Sequence, residues 1–109
     1  MKRALFLCTQ NRLRSPTAEQ MFATWPGVET DSAGLGADAT VPLSPEQIEW
    51  ANIIFVMEKA HNNKLSAKFK RHLNGKQVIC LDIPDEYEYM QPELIKLLES
   101  KTGRFLRQT

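Results

Sequence analysis

Leu5-Phe6-Leu7-Cys8-Thr9-Gln10-Asn11-Arg12-Leu13-Arg14-Ser15-Pro16-Thr17-Ala18-Glu19 is the stretch on which the rest of the chain is organised. An apolar run ends at Cys8, a short loop reaches Arg14, and Ser15-Pro16 opens a helix. Pro16 suits the first helical position, where its missing N–H costs nothing. Strand, loop and helix N-terminus in that order make an anion cradle. The loop N–H groups converge on one point, and the helix dipole adds positive potential there. The same field, together with Arg14, favours an ionised sulfur at Cys8.

Outward from this stretch the chain alternates strand and helix. Arg3–Leu7 is a short apolar run, as expected of a strand buried on both faces. The first helix carries Ala18, Met21, Phe22 and Trp25 at helical spacing and stops at Pro26-Gly27. Val28–Asp31 is a weak strand, followed by a flexible turn at Ser32-Ala33-Gly34-Leu35-Gly36 and a loop over 37–42. Ser44 caps the next helix, with Pro45 at its first position, Gln47 completing a capping box, and Leu43 and Ile48 forming a staple. Asn52–Met57 is the clearest strand, continuous rather than alternating and so interior to a parallel sheet. Lys59–Leu73 is a helix with Leu65, Phe69 and Leu73 on one stripe and lysines outside it, ended by Asn74-Gly75. Val78–Leu81 is a fourth strand. Past the acidic loop from Asp82 to Met90, Pro92 opens a last helix through Leu94, Ile95, Leu98 and Phe105.

This β-α-β-α-β-α-β-α order implies a four-stranded parallel sheet with helices on both faces. Ligands of such sheets bind beyond the carboxyl ends of the strands. Cys8 with its loop, Ser32-Ala33-Gly34 and the Asp82–Asp85 segment all fall at those ends.

The chain of 109 residues fits one domain, spanning 1–109. Its net charge of +1 argues against a dedicated nucleic-acid surface. No apolar run approaches the ~20 residues that span a bilayer. The N-terminal apolar run is only about four residues, short of a secretory signal's core, and reads better as a strand. Cys8 and Cys80 are the only cysteines, too few for a disulfide framework, so the expected setting is reducing and cytoplasmic. Histidines and cysteines are scattered without metal-ligand spacing, and no metal site is expected.

The residue types around Cys8 suit a nucleophilic thiolate attacking phosphorus. Arg14 can hold two phosphate oxygens bidentately and stabilise the transition-state charge. Ser15 can donate a hydrogen bond to the sulfur, and Asn11 can brace the loop through side-chain-to-backbone bonds. Asp82 and Asp85 are the candidate acids for the leaving group. A lone cysteine ending a strand is more often a small buried hydrophobe; the conjunction with Asn11, Arg14 and Ser15-Pro16 sets this one apart. Cys80 is expected to be mid-strand and packed. His61 and His72 sit on or beside a basic helix, as in an ordinary solvated face.

Cys8-Thr9-Gln10-Asn11-Arg12-Leu13-Arg14-Ser15-Pro16, with Ala18-Glu19, resembles the signature of the low-molecular-weight protein tyrosine phosphatases, Cys-x-x-Asn-x-x-Arg-Ser-Pro. Asp31-Ser32-Ala33-Gly34, Ala51–Met57 with His61, and Ile83-Pro84-Asp85-Glu86-Tyr87 resemble later parts of the same family. The resemblance implies a phosphatase I-like fold with strand order 2-1-3-4. It also implies hydrolysis of aromatic phosphate monoesters, protein phosphotyrosine foremost, through a phosphocysteine intermediate at Cys8. Arg14 would bind phosphate, and Thr9, Gln10, Asn11, Arg12, Leu13 and Ser15 would complete and support the loop. Asp85 would be the general acid, with Asp82 the alternative, and Tyr87 would pack against the substrate ring. No cofactor or metal is implied. The partner would be a phosphorylated protein or a small aromatic phosphate.

The chain departs from the family pattern in four places. Leu13 stands where members usually carry a second cysteine, which removes that redox switch. Thr9, Gln10 and Arg12 replace apolar residues or glycine in the loop, and Arg12 offers an additional anion contact. Glu86 rather than proline follows Asp85. Between Gly36 and Ser44 the chain is shorter than typical members, so a wall of the substrate cleft is expected to be missing. Two other functions use the same loop. Arsenate reduction would need a resolving thiol, for which Cys80 is the one candidate. A non-catalytic phosphate or phosphoprotein binder would keep the cradle and lose turnover.

Overall fold

The computed structural model describes residues 1–107. The elements are β1 (Lys2–Cys8), α1 (Arg14–Phe22), β2 (Val28–Gly34), α2 (Pro45–Trp50), β3 (Ile53–Val56) and α3 (Lys59–Phe69). A 3-10 turn at Lys70–His72, β4 (Gln77–Cys80) and α4 (Pro92–Leu106) complete the chain. The strands pair in parallel in the order β2-β1-β3-β4, with Leu7 opposite both Ala33 and Val56. This is the expected sheet.

The apolar runs of β1 and β3 serve two cores at once, because successive strand side chains point to opposite faces. Ala4, Phe6 and Cys8, with Ile53, Phe55 and Met57, pack toward Phe22 of α1 and Leu94 and Leu98 of α4. Leu5, Leu7, Ile54 and Val56 pack on the other face with Ile48 of α2 and Leu65 of α3. Phe6 stacks on both Phe22 and Phe55, with ring centroids 5.7 and 5.1 Å apart. Each such side chain, fully buried, contributes about 1.5–3 kcal/mol, so the strand that delivers Cys8 is anchored from both sides.

The start of α2 is as the sequence predicts: Ser44 and Gln47 exchange the two hydrogen bonds of a capping box. Three expectations need correction. Ser32-Ala33-Gly34 is not a flexible turn but the end of β2, paired residue for residue with Phe6, Leu7 and Cys8. Pairing to a buried neighbour outweighs the weak strand propensity of these residues. Helix α1 ends at Phe22, and Trp25 lies in the turn beyond it, its ring edge on Phe22. Cys80 is exposed rather than packed, because β4 is the edge strand.

Candidate active site

The carboxyl ends of β1, β2 and β3 and the segment after β4 meet at one edge of the sheet. Leu35 N–H donates to the Cys8 carbonyl, Gly36 N–H to that of Thr9, and Ile83 N–H to that of Met57. A Cβ on Gly34 would lie 2.7 Å from the Thr9 carbonyl oxygen and 2.4 Å from Ala39 Cβ. The glycine at the exit of β2 therefore makes room for the loop beside it.

Cys8 ends β1 and is 3% exposed. Its sulfur is hydrogen-bonded by the Asn11 N–H at 3.2 Å and lies 2.9 Å from Ser15 Oγ. Asn11 Nδ2 donates to Ser15 Oγ at 2.9 Å, so the serine proton is left to point at sulfur. The same amide donates to Ser32 Oγ at 2.9 Å, and Ser32 in turn donates to the Glu19 carboxylate. Asn11 has φ +58°, a left-handed conformation that asparagine tolerates better than most residues. The loop is thus turned at Asn11 and tied by its side chain to α1 and β2. The bracing partners are side-chain hydroxyls.

Arg14, the first residue of α1, is 2% exposed. Its Nη1 donates to Glu58 Oε2 at 2.6 Å and to the Ile83 carbonyl at 2.7 Å. Its Nε lies 3.7 Å from Asp85 Oδ1. The hydrogen bond from Arg14 holds the Glu58 carboxyl below its ordinary value, with the positive charge of Arg14 acting in the same direction. Cys8, Thr9, Gln10, Arg12, Leu13, Arg14 and Asp85 line one cavity of about 240 Å³.

Of the two candidate acids, Asp85 lies on this lining. Asp82 opens onto other depressions, one shared with Cys80 and Lys101, the other with Glu58 and Pro84. Tyr87 is not where the sequence led us to expect it. Half-buried, it packs against the core between the sheet, α1 and α4, and it does not line the cavity. Arg12 is exposed and reaches Thr40 Oγ1 and the Asp38 carbonyl, each at 3.4 Å. Cys80 lies on β4, separated from β1 by β3. Two strand spacings amount to about 9–10 Å, beyond the Cα separation that a disulfide spans.

Sequence reasoning missed Glu58 and gave too little weight to His61. Glu58 immediately follows Met57 at the carboxyl end of β3, and that position at the ligand edge was the available signal. His61 is 5% exposed: its Nδ1 accepts the Glu58 N–H at 3.2 Å, and its Nε2 lies 2.9 Å from Thr9 Oγ1. Among the described residues no cluster of three or more His, Cys, Asp or Glu side chains is placed to hold a metal, and no helix is long and apolar enough to cross a membrane.

Residues 3–52, which include the whole loop, match the family profile described as low molecular weight phosphotyrosine protein phosphatase. Over that stretch the chain is similar to that family. A protein-arginine-phosphatase of Geobacillus stearothermophilus is 31% identical to it over 91 aligned residues, covering 62% of this chain and 62% of that protein. Two solved structures share the fold. The YwlE arginine phosphatase from Geobacillus stearothermophilus superposes with a TM-score of 0.76 at 23% identity, over 96% of this chain and 93% of that one. The tyrosine phosphatase Wzb from Escherichia coli K30, in complex with phosphate, gives 0.77 at 21% identity over 96% of each chain.

Proposed function

We propose that this chain is a member of the low-molecular-weight phosphotyrosine protein phosphatases and a cysteine-dependent phosphatase, one domain over residues 1–109, acting on aromatic phosphate monoesters and above all on phosphotyrosine in proteins. The observation that carries the reading is one cavity lined by a hydrogen-bonded cysteine sulfur, a buried arginine and a carboxylate. Cys8 Sγ attacks phosphorus in line. The S–P bond forms as the P–O bond to the leaving group breaks, and Asp85, as the acid, gives its proton to the departing oxygen. Ser15 and the Asn11 N–H stabilise the thiolate before attack and again when it leaves. Arg14 binds the phosphoryl oxygens, whose charge spreads in the transition state. Asp85, now a carboxylate, takes a proton from water as that water attacks the phosphocysteine, releasing phosphate. No step calls on a metal or an organic cofactor. Reduced Cys8 is required throughout, which fits a cytoplasmic setting.

A second substrate, phosphoarginine in proteins, is favoured by one specific observation. No aromatic side chain lines the cavity, Tyr87 being packed in the core. The Geobacillus relative is a protein-arginine-phosphatase. The test is hydrolysis of p-nitrophenyl phosphate with EDTA present, followed by kcat/KM for a phosphotyrosine and a phosphoarginine peptide of the same sequence. Turnover with preference for phosphotyrosine is expected. Preference for phosphoarginine selects the second substrate, and no turnover of any of the three overturns the phosphatase reading.

A further inference from the structure

The start of α3 touches the loop at both ends. Glu58 holds Arg14 at 2.6 Å, and His61 reaches Thr9, the residue after Cys8, at 2.9 Å. The state of the imidazole follows from its second partner. Nδ1 accepts the Glu58 N–H, so it carries no proton, and the ring proton of the neutral form sits on Nε2. Nε2–H therefore donates to Thr9 Oγ1, filling one of its two lone pairs and leaving its own proton unused toward His61. The threonine proton is then free to be given to another acceptor. Thr9 lines the cavity beside Cys8 and Arg14, where a bound phosphoryl oxygen would be such an acceptor.

We propose that His61 is a positioning residue for this site: by donating from Nε2 it turns the Thr9 hydroxyl into a hydrogen-bond donor for the bound phosphoryl group. The surroundings are consistent with a neutral ring. Burial above all, then the Arg14 charge, lower its pKa, and Lys64 adds to this. Glu58 and Asp85 act in the opposite direction. A proton on Nδ1 would confront the Glu58 N–H, so the ionised ring cannot keep the contact that opens α3.

This inference rests on the phosphatase reading for its kinetic part alone. The experiment titrates the full chain with inorganic phosphate and measures p-nitrophenyl phosphate kinetics for wild type, His61→Leu, His61→Gln, Thr9→Val and the His61→Leu/Thr9→Val double variant. Long-range ¹H–¹⁵N correlation spectra of wild type assign the ring tautomer. The Nε2–H form is expected at pH 7. His61→Leu should raise the phosphate dissociation constant and KM by about tenfold, as for one hydrogen bond to a charged group, with kcat changing less. His61→Gln, which retains a donor at the same reach, should recover most of the loss, and the double variant should be no worse than Thr9→Val. An Nδ1–H or doubly protonated ring, unchanged phosphate affinity in folded His61→Leu, or additive effects of the two substitutions would overturn the proposal. Should His61→Leu fail to fold, the tautomer and the His61→Gln titration decide. Wild type that binds phosphate with the Nε2–H ring but never turns over would sink the proposed activity and leave this role standing.

Discussion

The loop from Cys8 to Ser15 and the segment from Asp82 to Gln91 contribute to one cavity, but they are held by different means. Cys8, Asn11, Arg14 and Ser15 are all buried, and each is fixed by at least one side-chain hydrogen bond. Asp85 lies on a segment without helix or strand, its side chain is 63% exposed, and its contact with Arg14 is 3.7 Å long. The phosphate-facing half is thus preorganised by its surroundings. The half that carries Asp85, the proposed acid, is anchored at Ile83, whose side chain is buried, whose N–H bonds to Met57 and whose carbonyl bonds to Arg14. A fixed cradle beside an exposed carboxyl suits the proposed reaction, in which Asp85 would meet first a leaving group and then a water.

Substitutions can break this contrast in graded ways. The largest effect is expected from Cys8→Ser, which removes the nucleophile and should lower p-nitrophenyl phosphate turnover by about 10⁴-fold or more. Activity of that variant near wild type would end the covalent mechanism. Asp85→Asn should lower turnover by about 10²–10⁴-fold. Because the side chain is exposed, its denaturation midpoint should shift by no more than about 0.5 kcal/mol in stability. Asp82→Asn is the control and should stay close to wild type; the opposite pattern would move the acid to Asp82. Asn11→Ala should show the reverse balance, losing about 2–4 kcal/mol in urea denaturation because two buried donors and a residue suited to positive φ disappear together. Its turnover should fall by a smaller factor than that of Asp85→Asn.

The smallest effect concerns pH. His61 has its pKa lowered from 6.5 in the fold, so the unfolded chain binds the proton first. Its contribution to stability is complete above about pH 6.5 and is lost as the pH falls through the lowered folded value. Melting temperature should therefore decline from pH 7 toward pH 5 more steeply in wild type than in His61→Gln. Parallel curves would show that the ring is not held neutral. Glu58, also lowered by Arg14, contributes in the same sense but below its ordinary 4.5.

The sheet, its parallel order and the loop at Cys8 were legible because they rest on local signals: unbroken apolar runs, Pro16, and the Ser44–Gln47 capping box. What escaped depended on neighbours distant in sequence. Ser32-Ala33-Gly34 became strand by pairing with β1, and Cys80 became exposed because nothing in its own sequence marks β4 as an edge. Tyr87 has the same composition cue whether it faces a ligand or a core. His61 looks like an ordinary member of a charged surface helix, and Glu58 like the residue that precedes it, until Thr9 and Arg14 are brought to them across the fold.

Gly34 gives this architecture a point of unusual sensitivity. Its backbone angles would accept another residue, since no positive φ is required there, yet a single methyl group would press on both Thr9 and Ala39. The barrier is one of volume, not of torsion. A Gly34→Ala chain would have to shift either the base of the loop or the 37–42 connection. The proposed catalytic centre would then be displaced from the far side of a strand pair, by a residue that carries no chemistry of its own.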